Sequence, residues 1–325
     1  SGLSEGILWD VKNNSPAALI MDYFGFPLDI LPEIVPSFSI QGELTREAAG
    51  ELGLKPGTPL SYRAGDQPNN AFSLNVLNPG ELAATAGTSG VVYGIVGKPA
   101  FDRLSRVNTF VHVNHTENDN RYGILLCLNG TGILNRWLKQ NISFRGGEEM
   151  SYQEMNRVAE SVPVGSGGLV FLPYGNGAER TLENADPGAS LHGLNFNIHS
   201  QSHLLRAGQE GIVFALNYGF EIMKEMGMEL RTVKAGYANM FLSPLFRNAF
   251  STITGAEVEL YTADGALGAA RGAGIGAGIY TGFKEAFIGL EKKETVSPDY
   301  RLKNQYKEAY GRWHATLKKV VSQTS

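Results

Sequence analysis

Short apolar strands alternate with helical segments along this chain, and a glycine turn follows where several of the strands end. The apolar runs at 82–86, 122–128 and 169–173 each lead into a glycine-containing loop, whereas 200–227 repeats apolar side chains at helical spacing. This alternation predicts an α/β fold. Because ligands of open α/β sheets bind beyond the carboxyl ends of strands, the glycine turns are the first candidates for a binding site.

Composition and charge exclude several classes of protein. The 325 residues are enough for one large or two ordinary domains, and 28 Lys and Arg against 32 Asp and Glu give a net charge of −4. A mildly acidic chain without basic runs argues against nucleic acid as the main partner. The single cysteine, Cys127, excludes a disulfide framework and a multi-thiolate metal site. Its apolar neighbours predict a buried structural thiol, in a reducing compartment.

The sequence gives no sign of a membrane or export segment. No apolar stretch approaches the roughly 18 residues of a membrane span, and residues 1–14 lack both the basic and the apolar region of a signal peptide. We therefore expect a cytoplasmic protein without a membrane partner. The first residues resemble no complete N-terminal domain, which predicts a fragment or a chain that begins in the middle of a fold.

The turn at 87–90 is the first candidate site. A hairpin carrying Gly87, Thr88 and Ser89 can direct backbone N–H groups and two hydroxyls at one anion. Asp66 lies upstream, in a Gly-Asp turn after a predicted strand, and a carboxylate beside a phosphate-binding turn could accept a hydroxyl proton or hold Mg²⁺. Taken alone, each of the two motifs is more readily explained by ordinary turn chemistry than by a binding site.

Three further glycine-rich runs differ in their context. The run 129–132 follows a strand and opens a helix, which suits a phosphate or a plain helix cap. The run 235–239 has the same setting and could cradle a nucleobase or ribose. The run 272–277 fits G-x-G-x-x-A, but it lies inside a predicted helix, so it indicates close helix packing rather than a dinucleotide site.

Two polar pairs are interpreted as structural. His199 and His203 are four residues apart at a helix start, a spacing that could bind a metal, but no third ligand is evident. We therefore favour capping or pairing for both. Glu179 and Arg180 follow a glycine-containing loop and are interpreted as a buried structural ion pair rather than as catalytic residues.

Six groups of residues are informative when they are taken together. They are, in order, AGDQ at 64–67, TAGTSG at 85–90, LPY at 172–174 with ERT at 179–181, HSQSHLLRAGQEG at 199–211, AGYAN at 235–239 with SPLF at 243–246, and DGALGAA at 264–270. In order and approximate spacing, these segments resemble the FGGY family of carbohydrate kinases. The resemblance spans nearly the whole chain, and within the family it is strongest to the xylulokinases. This sequence departs from the family at Tyr237 and in the run before Ser243.

The resemblance implies an actin/hexokinase-like (ribonuclease H-like) ATPase fold, a mixed sheet flanked by helices. The family has two domains with the active site in the cleft between them. Residues 1–77 would be a remnant of the N-terminal, sugar-binding domain that includes the catalytic aspartate, and 78–325 would be the C-terminal, nucleotide-binding domain. Nothing before Asp66 provides the D-x-G-T hairpin with which the family's first domain begins. The resemblance thus implies that most of that domain, with the sugar pocket, is missing.

The resemblance also implies an activity and a set of site residues. The reaction would be ATP-dependent phosphorylation of a sugar hydroxyl, with ATP and Mg²⁺ as cofactors and D-xylulose or a related ketopentose as the sugar. Asp66 would take the hydroxyl proton and help to hold Mg²⁺, and Gln67 would bind substrate with it. The implied nucleotide contacts are with the transferring phosphate at Gly87, Thr88 and Ser89, with the other phosphates at Gly132, and with the adenosine at Gly236 and Asn239.

Several alternatives stay open. The substrate could instead be gluconate, ribulose, rhamnulose, glycerol or erythritol, because the discriminating side chains would lie mainly in the missing domain. A non-catalytic nucleotide-binding module is a second class, against which Asp66 argues because a pure binder needs no proton acceptor. A metal-binding protein built on His199 and His203 is a third. The expected partners are the sugar and ATP or ADP, and a homodimer is left open, as is the activity of this chain alone.

Overall fold

The computed structural model describes residues 1–324. Its helices are α1 (Gly2–Glu5), α2 (Ala18–Phe24), α3 (Arg46–Leu52), α4 (Asp66–Ser73), α5 (Gly132–Ile142), α6 (Tyr152–Glu160), α7 (Gln201–Glu225), α8 (Pro244–Thr254), α9 (Gly265–Gly276), α10 (Phe283–Ala286) and α11 (Lys303–Thr324). Its strands are β1 (Trp9–Asp10), β2 (Ser15–Pro16), β3 (Gly42–Glu43), β4 (Pro59–Leu60), β5 (Leu82–Ala86), β6 (Gly90–Val96), β7 (Asn108–Val111), β8 (Tyr122–Leu128), β9 (Phe144–Arg145), β10 (Glu148–Glu149), β11 (Val170–Pro173), β12 (Ala189–His192), β13 (Thr232–Gly236), β14 (Glu257–Tyr261) and β15 (Lys292–Val296).

A seven-stranded mixed sheet organises the chain, in the order β15-β14-β13-β5-β6-β8-β7. Strand β13 pairs in parallel with β14 and with β5, and the other neighbours pair antiparallel. Since β6 runs antiparallel to both β5 and β8, the strands β5, β8, β13 and β14 share one direction. Their carboxyl ends therefore meet at one edge. The predicted α/β fold with a mixed sheet is confirmed.

Helix α7 is the central core helix, as the apolar spacing over 200–227 predicts. It packs against β11, α6 and α8. Arg206 and Glu210 form an ion pair inside the core, with 2.7 Å between Nε and Oε1. Burial raises the pKa of Glu210, while Arg206 and donors from Gly165 and Ser166 counteract that rise. Within residues 1–324 no helix, α7 included, combines the length and hydropathy that crossing a bilayer requires.

The glycine-rich helix α9 packs closely on α4 and the segment before it. A Cβ at Gly272 would lie 2.7 Å from the ring of Tyr62, and one at Gly276 would lie 2.8 Å from the Ser61 carbonyl carbon. The packing interpretation of 272–277 is thus confirmed. The helix predicted around 272–277 ends at Gly276, and the residues between β4 and α4 are not the predicted strand, since they have no ladder partner.

A glycine inside a helix lowers the free energy of unfolding, and the loss is avoidable where a side chain would fit. Gly311 lies inside α11 and is exposed, and a Cβ there would have no neighbour within 4 Å. Gly311→Ala should therefore raise the free energy of unfolding by about 0.5–1 kcal/mol, because alanine loses less backbone entropy in a helix. Urea denaturation measures this change. Gly208→Ala in α7 is the control, where the Cβ would overlap the Leu138 side chain; equal stabilisation of both variants would contradict the explanation.

Candidate active site

Four loops come together at the carboxyl edge of the sheet. They follow β5, β8, β13 and β14 and comprise residues 87–89, 129–131, 237–238 and 262–264. The first three contain or adjoin the glycine turns singled out in the sequence. Because the four strands share one direction, these loops form one contiguous surface, at the position where ligands of such sheets bind.

The turn after β5 is held by the start of α5. The N–H of Gly132 donates to the carbonyl oxygen of Gly87 at 2.7 Å, and the N–H of Ile133 donates to that of Thr88 at 3.3 Å. From the β13 side, the Asn239 amide nitrogen lies 3.6 Å from where a Cβ on Gly87 would stand. Four of the predicted site residues, Gly87, Thr88, Gly132 and Asn239, are therefore neighbours in the structure.

The hydrogen-bond donors open to an anion lie on the turn rather than on the helix. The first two N–H groups of α5 donate to the turn, and the next two donate to the Thr131 carbonyl. By contrast, the backbone N–H and side-chain hydroxyl groups of Thr88 and Ser89 donate to no protein atom in the described chain. The N–H of Gly132 is thus not a free donor, and the phosphate contact predicted for Gly132 stays a prediction.

Helix α4 brings Asp66 to the same edge. Just beyond its last turn, the Asn75 carbonyl accepts a 2.8 Å hydrogen bond from Lys234 Nζ on β13, beside the amino half of β5. At its other end, the side-chain amide of Asn69 donates to the Gly265 carbonyl at 2.9 Å, directly after the loop 262–264, so the first turn of α4 lies at the carboxyl edge. The side chain of Asp66 is exposed there. The negative charge of Asp66 also reaches Cys127 at the end of β8.

Cys127 is an unreactive thiol beside this edge. It is half-buried, rather than buried as predicted. Burial raises the pKa of its thiol to about 11, and the charges of Glu179 and Asp66 add to the rise. A thiol with such a pKa is protonated at neutral pH, so the structural interpretation of Cys127 agrees with its surroundings.

Glu5 is a residue at this edge that the sequence analysis missed. Its carboxylate lies against the start of α4, beside the backbone N–H groups of Asp66 and Gln67. Burial and then the charge of Asp66 raise the pKa of Glu5, and the neighbouring N–H groups of Gln67 and Asp66 counteract the rise. A Cβ on Gly65 would overlap the Glu5 carboxylate, so the glycine permits the approach. No local pattern around Glu5 indicates this contact.

The loop after β13 continues as a short 3₁₀ turn. The N–H of Tyr237 donates to the Tyr261 carbonyl at 2.9 Å, which fixes the backbone just after Gly236. Asn239 has a φ of 53°, in the left-handed region that asparagine tolerates, and it begins the turn Asn239–Leu242. The run that departs from the family pattern forms this turn, which ends where Ser243 caps α8.

The histidine pair is structural, as predicted. In His199, Nδ1 accepts from the Asn195 N–H at 2.9 Å, and Nε2 lies 3.2 Å from the Gly167 carbonyl. His203 accepts from the Ser200 N–H through Nδ1. Both nitrogens of His199 are thus engaged, and among residues 1–324 no group of three or more His, Cys, Asp or Glu could hold a metal ion.

The buried ion pair predicted at 179–180 is wrong. Glu179 and Arg180 are both exposed, and the Glu179 carboxylate instead accepts from the Asn129 side chain at 3.2 Å. The loop carrying them lies on the surface, where neither charge needs a charged partner because water solvates it. The contact ties this loop to the one after β8.

Comparison with known proteins shows which family this sequence matches. Residues 82–277 match the C-terminal domain of the FGGY family of carbohydrate kinases. A gluconokinase of Bacillus subtilis is 28% identical over 263 residues, which is 78% of this chain and 48% of that protein. A xylulose kinase of Staphylococcus epidermidis is 30% identical over 206 residues, 63% of this chain and 40% of that protein.

A solved structure extends the likeness over the fold. The ligand-bound xylulose kinase of Lactobacillus acidophilus superposes with a TM-score of 0.86 at 20% identity, covering 98% of this chain and 63% of that one. At this identity the likeness concerns the fold. The chain spans less than half the length of the two sequence relatives just described.

Proposed function

Since the chain belongs to the FGGY family of carbohydrate kinases, we propose that it takes part in ATP-dependent phosphorylation of a sugar hydroxyl. One observation carries the proposal beyond the family. The unpartnered donors of Thr88 and Ser89 lie at the edge toward which α4 directs the exposed carboxylate of Asp66. Phosphoryl transfer needs a phosphate cradle and a proton acceptor at one site, and these residues supply both.

The turn would hold the transferring phosphate. Its two backbone N–H groups and two hydroxyls can donate to phosphate oxygens, and hydrogen bonds to a charged acceptor are stronger than neutral ones. The start of α5 lies directly behind the turn, so the positive end of its dipole favours an anion there even though Gly132 donates elsewhere. Gly87 presents backbone without a side chain to the phosphate, and the Asn239 amide lies beside it.

Asp66 would act as the base for the sugar hydroxyl and would hold Mg²⁺. Mg²⁺ binds through one or two carboxylates together with substrate phosphates, so the exposed carboxylate of Asp66 suits it. When bound, the ion would neutralise charge on the phosphates. Gln67, half-buried in the first turn of α4, would contact the substrate beside Asp66.

Gly236 and Asn239 would contact the adenosine. Gly236 stands at the end of β13, next in the sheet to the strand that carries the phosphate turn, and Asn239 reaches that turn through its amide. An adenosine over this loop would thus place its phosphates toward Thr88. We also propose that residues 1–77 belong to the sugar-binding domain and 78–325 to the nucleotide-binding domain.

For the sugar we propose D-xylulose or a related ketopentose, as in the xylulose kinase relatives. Gluconate is the second candidate, because a gluconokinase is 28% identical to this chain over 78% of its length. A kinase assay of the natural protein with D-xylulose, L-xylulose, D-ribulose, gluconate and glycerol distinguishes them by kcat/KM. Calorimetric titration with Mg·ADP tests the nucleotide site itself, and saturable binding is expected.

Thr88→Val is expected to reduce turnover more than nucleotide affinity. Valine keeps the β-branched shape but removes the hydroxyl, and a hydrogen bond to a charged group contributes about 1.5–3 kcal/mol. We therefore expect kcat to fall about 10- to 100-fold, with the Kd for Mg·ADP within twofold. Thr116→Val is the matched control, an exposed turn threonine whose hydroxyl accepts from the Asp119 N–H. Unchanged turnover in Thr88→Val would reject the phosphate role.

A further inference from the structure

Gln209 is a polar residue inside the core of the chain, and both ends of its amide have partners on other elements. It lies on α7 and is 1% exposed. Its Nε2 donates to Asn156 Oδ1 on α6 at 2.9 Å, and its Oε1 accepts from Ser243 Oγ at the start of α8 at 2.7 Å. Because an unpaired buried amide is costly, these bonds fix α6, α7 and the start of α8 relative to one another.

Ser243 connects the hydrogen bonds of Gln209 to the loop after β13. It is 3% exposed, and its hydroxyl also accepts from the Phe246 N–H at 3.3 Å as the cap of α8. The turn Asn239–Leu242 ends directly before it, and the Ser243 N–H donates to the Met240 carbonyl at 3.0 Å. Asn239 therefore lies only four residues before Ser243, so the hydrogen bond from Ser243 to Gln209 helps to fix its position.

The same turn is held from its other side by charged and apolar contacts. Arg247 Nη1 donates to the Phe241 carbonyl at 3.2 Å, while its Nη2 lies 3.1 Å from Glu294 Oε1. The side chains of Met240 and Phe241 are buried beneath the turn. Gln209 adds what these contacts do not supply, a directional bond between the end of the turn and α7.

We propose that Gln209 is a positioning residue for nucleotide binding. Through Ser243 it holds the turn Asn239–Leu242, and with it Asn239 beside Gly87, without touching the ligand. The inference rests on the proposed function, which assigns the adenosine to this loop. Loss of the hydrogen bond between Gln209 and Ser243 should therefore weaken the binding of ligands that contain adenosine. The binding of ligands that consist of phosphate alone should not change, because the turn at 87–89 would hold them.

The test is calorimetric titration of the chain and its Gln209→Met variant with Mg·ADP and with magnesium pyrophosphate. Methionine has a similar volume but lacks both polar groups, so Ser243 and Asn156 lose their partner. We expect the Kd for Mg·ADP to rise about tenfold, which corresponds to about 1.4 kcal/mol, and the Kd for pyrophosphate to stay within twofold.

Ser251→Ala is the matched control. Ser251 lies farther along α8, and its buried hydroxyl donates to the carbonyls of Ala256 and Val296 at 2.7 and 3.1 Å. This variant removes buried hydrogen bonds of the same kind from the same helix without touching the turn. Its Kd for Mg·ADP should equal that of the unaltered chain. Hydrogen exchange of amides 239–246 without nucleotide should be faster in Gln209→Met alone.

Gln209→Glu is the conservative variant, and it keeps the test decisive if Gln209→Met does not fold. Burial raises the pKa of a carboxyl group, so the acid is held neutral and retains one acceptor and one donor. Its Kd for Mg·ADP should return to within threefold of the unaltered value. An affinity as poor as the methionine variant's would contradict the hydrogen-bonding role.

The possible outcomes separate this inference from the proposed function. Binding of Mg·ADP by the unaltered chain with an unchanged Kd in folded Gln209→Met overturns the positioning role and leaves the proposed function standing. Equal losses for Mg·ADP and pyrophosphate, or the same loss in Ser251→Ala, show a general structural role and also overturn it. No Mg·ADP binding by the unaltered chain contradicts the proposed function, and the inference falls with it.

Discussion

Replacing Asp66 by asparagine or alanine is expected to reduce kinase turnover by about 10²- to 10⁴-fold, the usual contribution of a general base. The physical reason is that neither replacement can accept the hydroxyl proton, and both remove the carboxylate proposed to hold Mg²⁺. The asparagine variant retains the size of the side chain and its place in the first turn of α4. Steady-state kinetics of the natural protein, with D-xylulose or whichever sugar the panel identifies, measures the loss.

Nucleotide binding should survive this change. Asp66 begins α4, whereas the residues proposed to hold the adenosine lie at the end of β13 and just after it. The Kd for ADP measured without metal should therefore stay within about twofold of the unaltered value. Glu47→Gln is the control, because Glu47 is likewise an exposed carboxylate in the first turn of a helix, α3. Equal loss of turnover and ADP affinity would contradict the base assignment. Undiminished turnover would favour the alternative in which this chain only binds nucleotide and the catalytic base lies outside it.

Local patterns in the sequence were sufficient to predict the elements of the site. The small and apolar residues of 82–86 and 122–128 form β5 and β8, and the glycine turns after them lie at the carboxyl edge. Alternation of strand and helix fixes the fold class because each element must bury its apolar side against another layer. The place of Thr88 and Ser89 in the turn after β5 follows from the same local pattern.

Contacts between distant segments could not be predicted in this way. The Gly132 donor is used by Gly87, and Gln209 bonds Ser243, although nothing near either residue in sequence indicates its partner. The ion pair expected at 179–180 was wrong for a related reason, since burial depends on what packs over a loop. Such contacts depend on strand order and helix approach, which side-chain spacing alone does not determine.

Gly132→Ala is expected to cost both stability and turnover, because the close approach of α5 to the phosphate turn leaves no room for a side chain. A Cβ at this position would lie 2.9 Å from the Gly87 carbonyl carbon, and closer still to its oxygen. Both partners are backbone, so relief requires α5 to move away and the 2.7 Å bond to Gly87 to lengthen. We expect a loss of about 1–3 kcal/mol in unfolding free energy. A shift of the turn by about 1 Å should lower kcat about 10²-fold.

Gly211→Ala separates the two effects. Gly211 lies on α7, and a Cβ there would meet the backbone carbonyl of Phe171 in the same way, 3.2 Å from its carbon and closer to its oxygen. Urea denaturation should therefore show a comparable loss of stability in both variants. Turnover per folded molecule should fall in Gly132→Ala alone, since Gly211 contacts β11 and leaves the turn at 87–89 in place. If Gly211→Ala lost turnover to the same extent, the effect would follow general destabilisation, and the contact between Gly132 and Gly87 would have no specific role in placing Thr88 and Ser89.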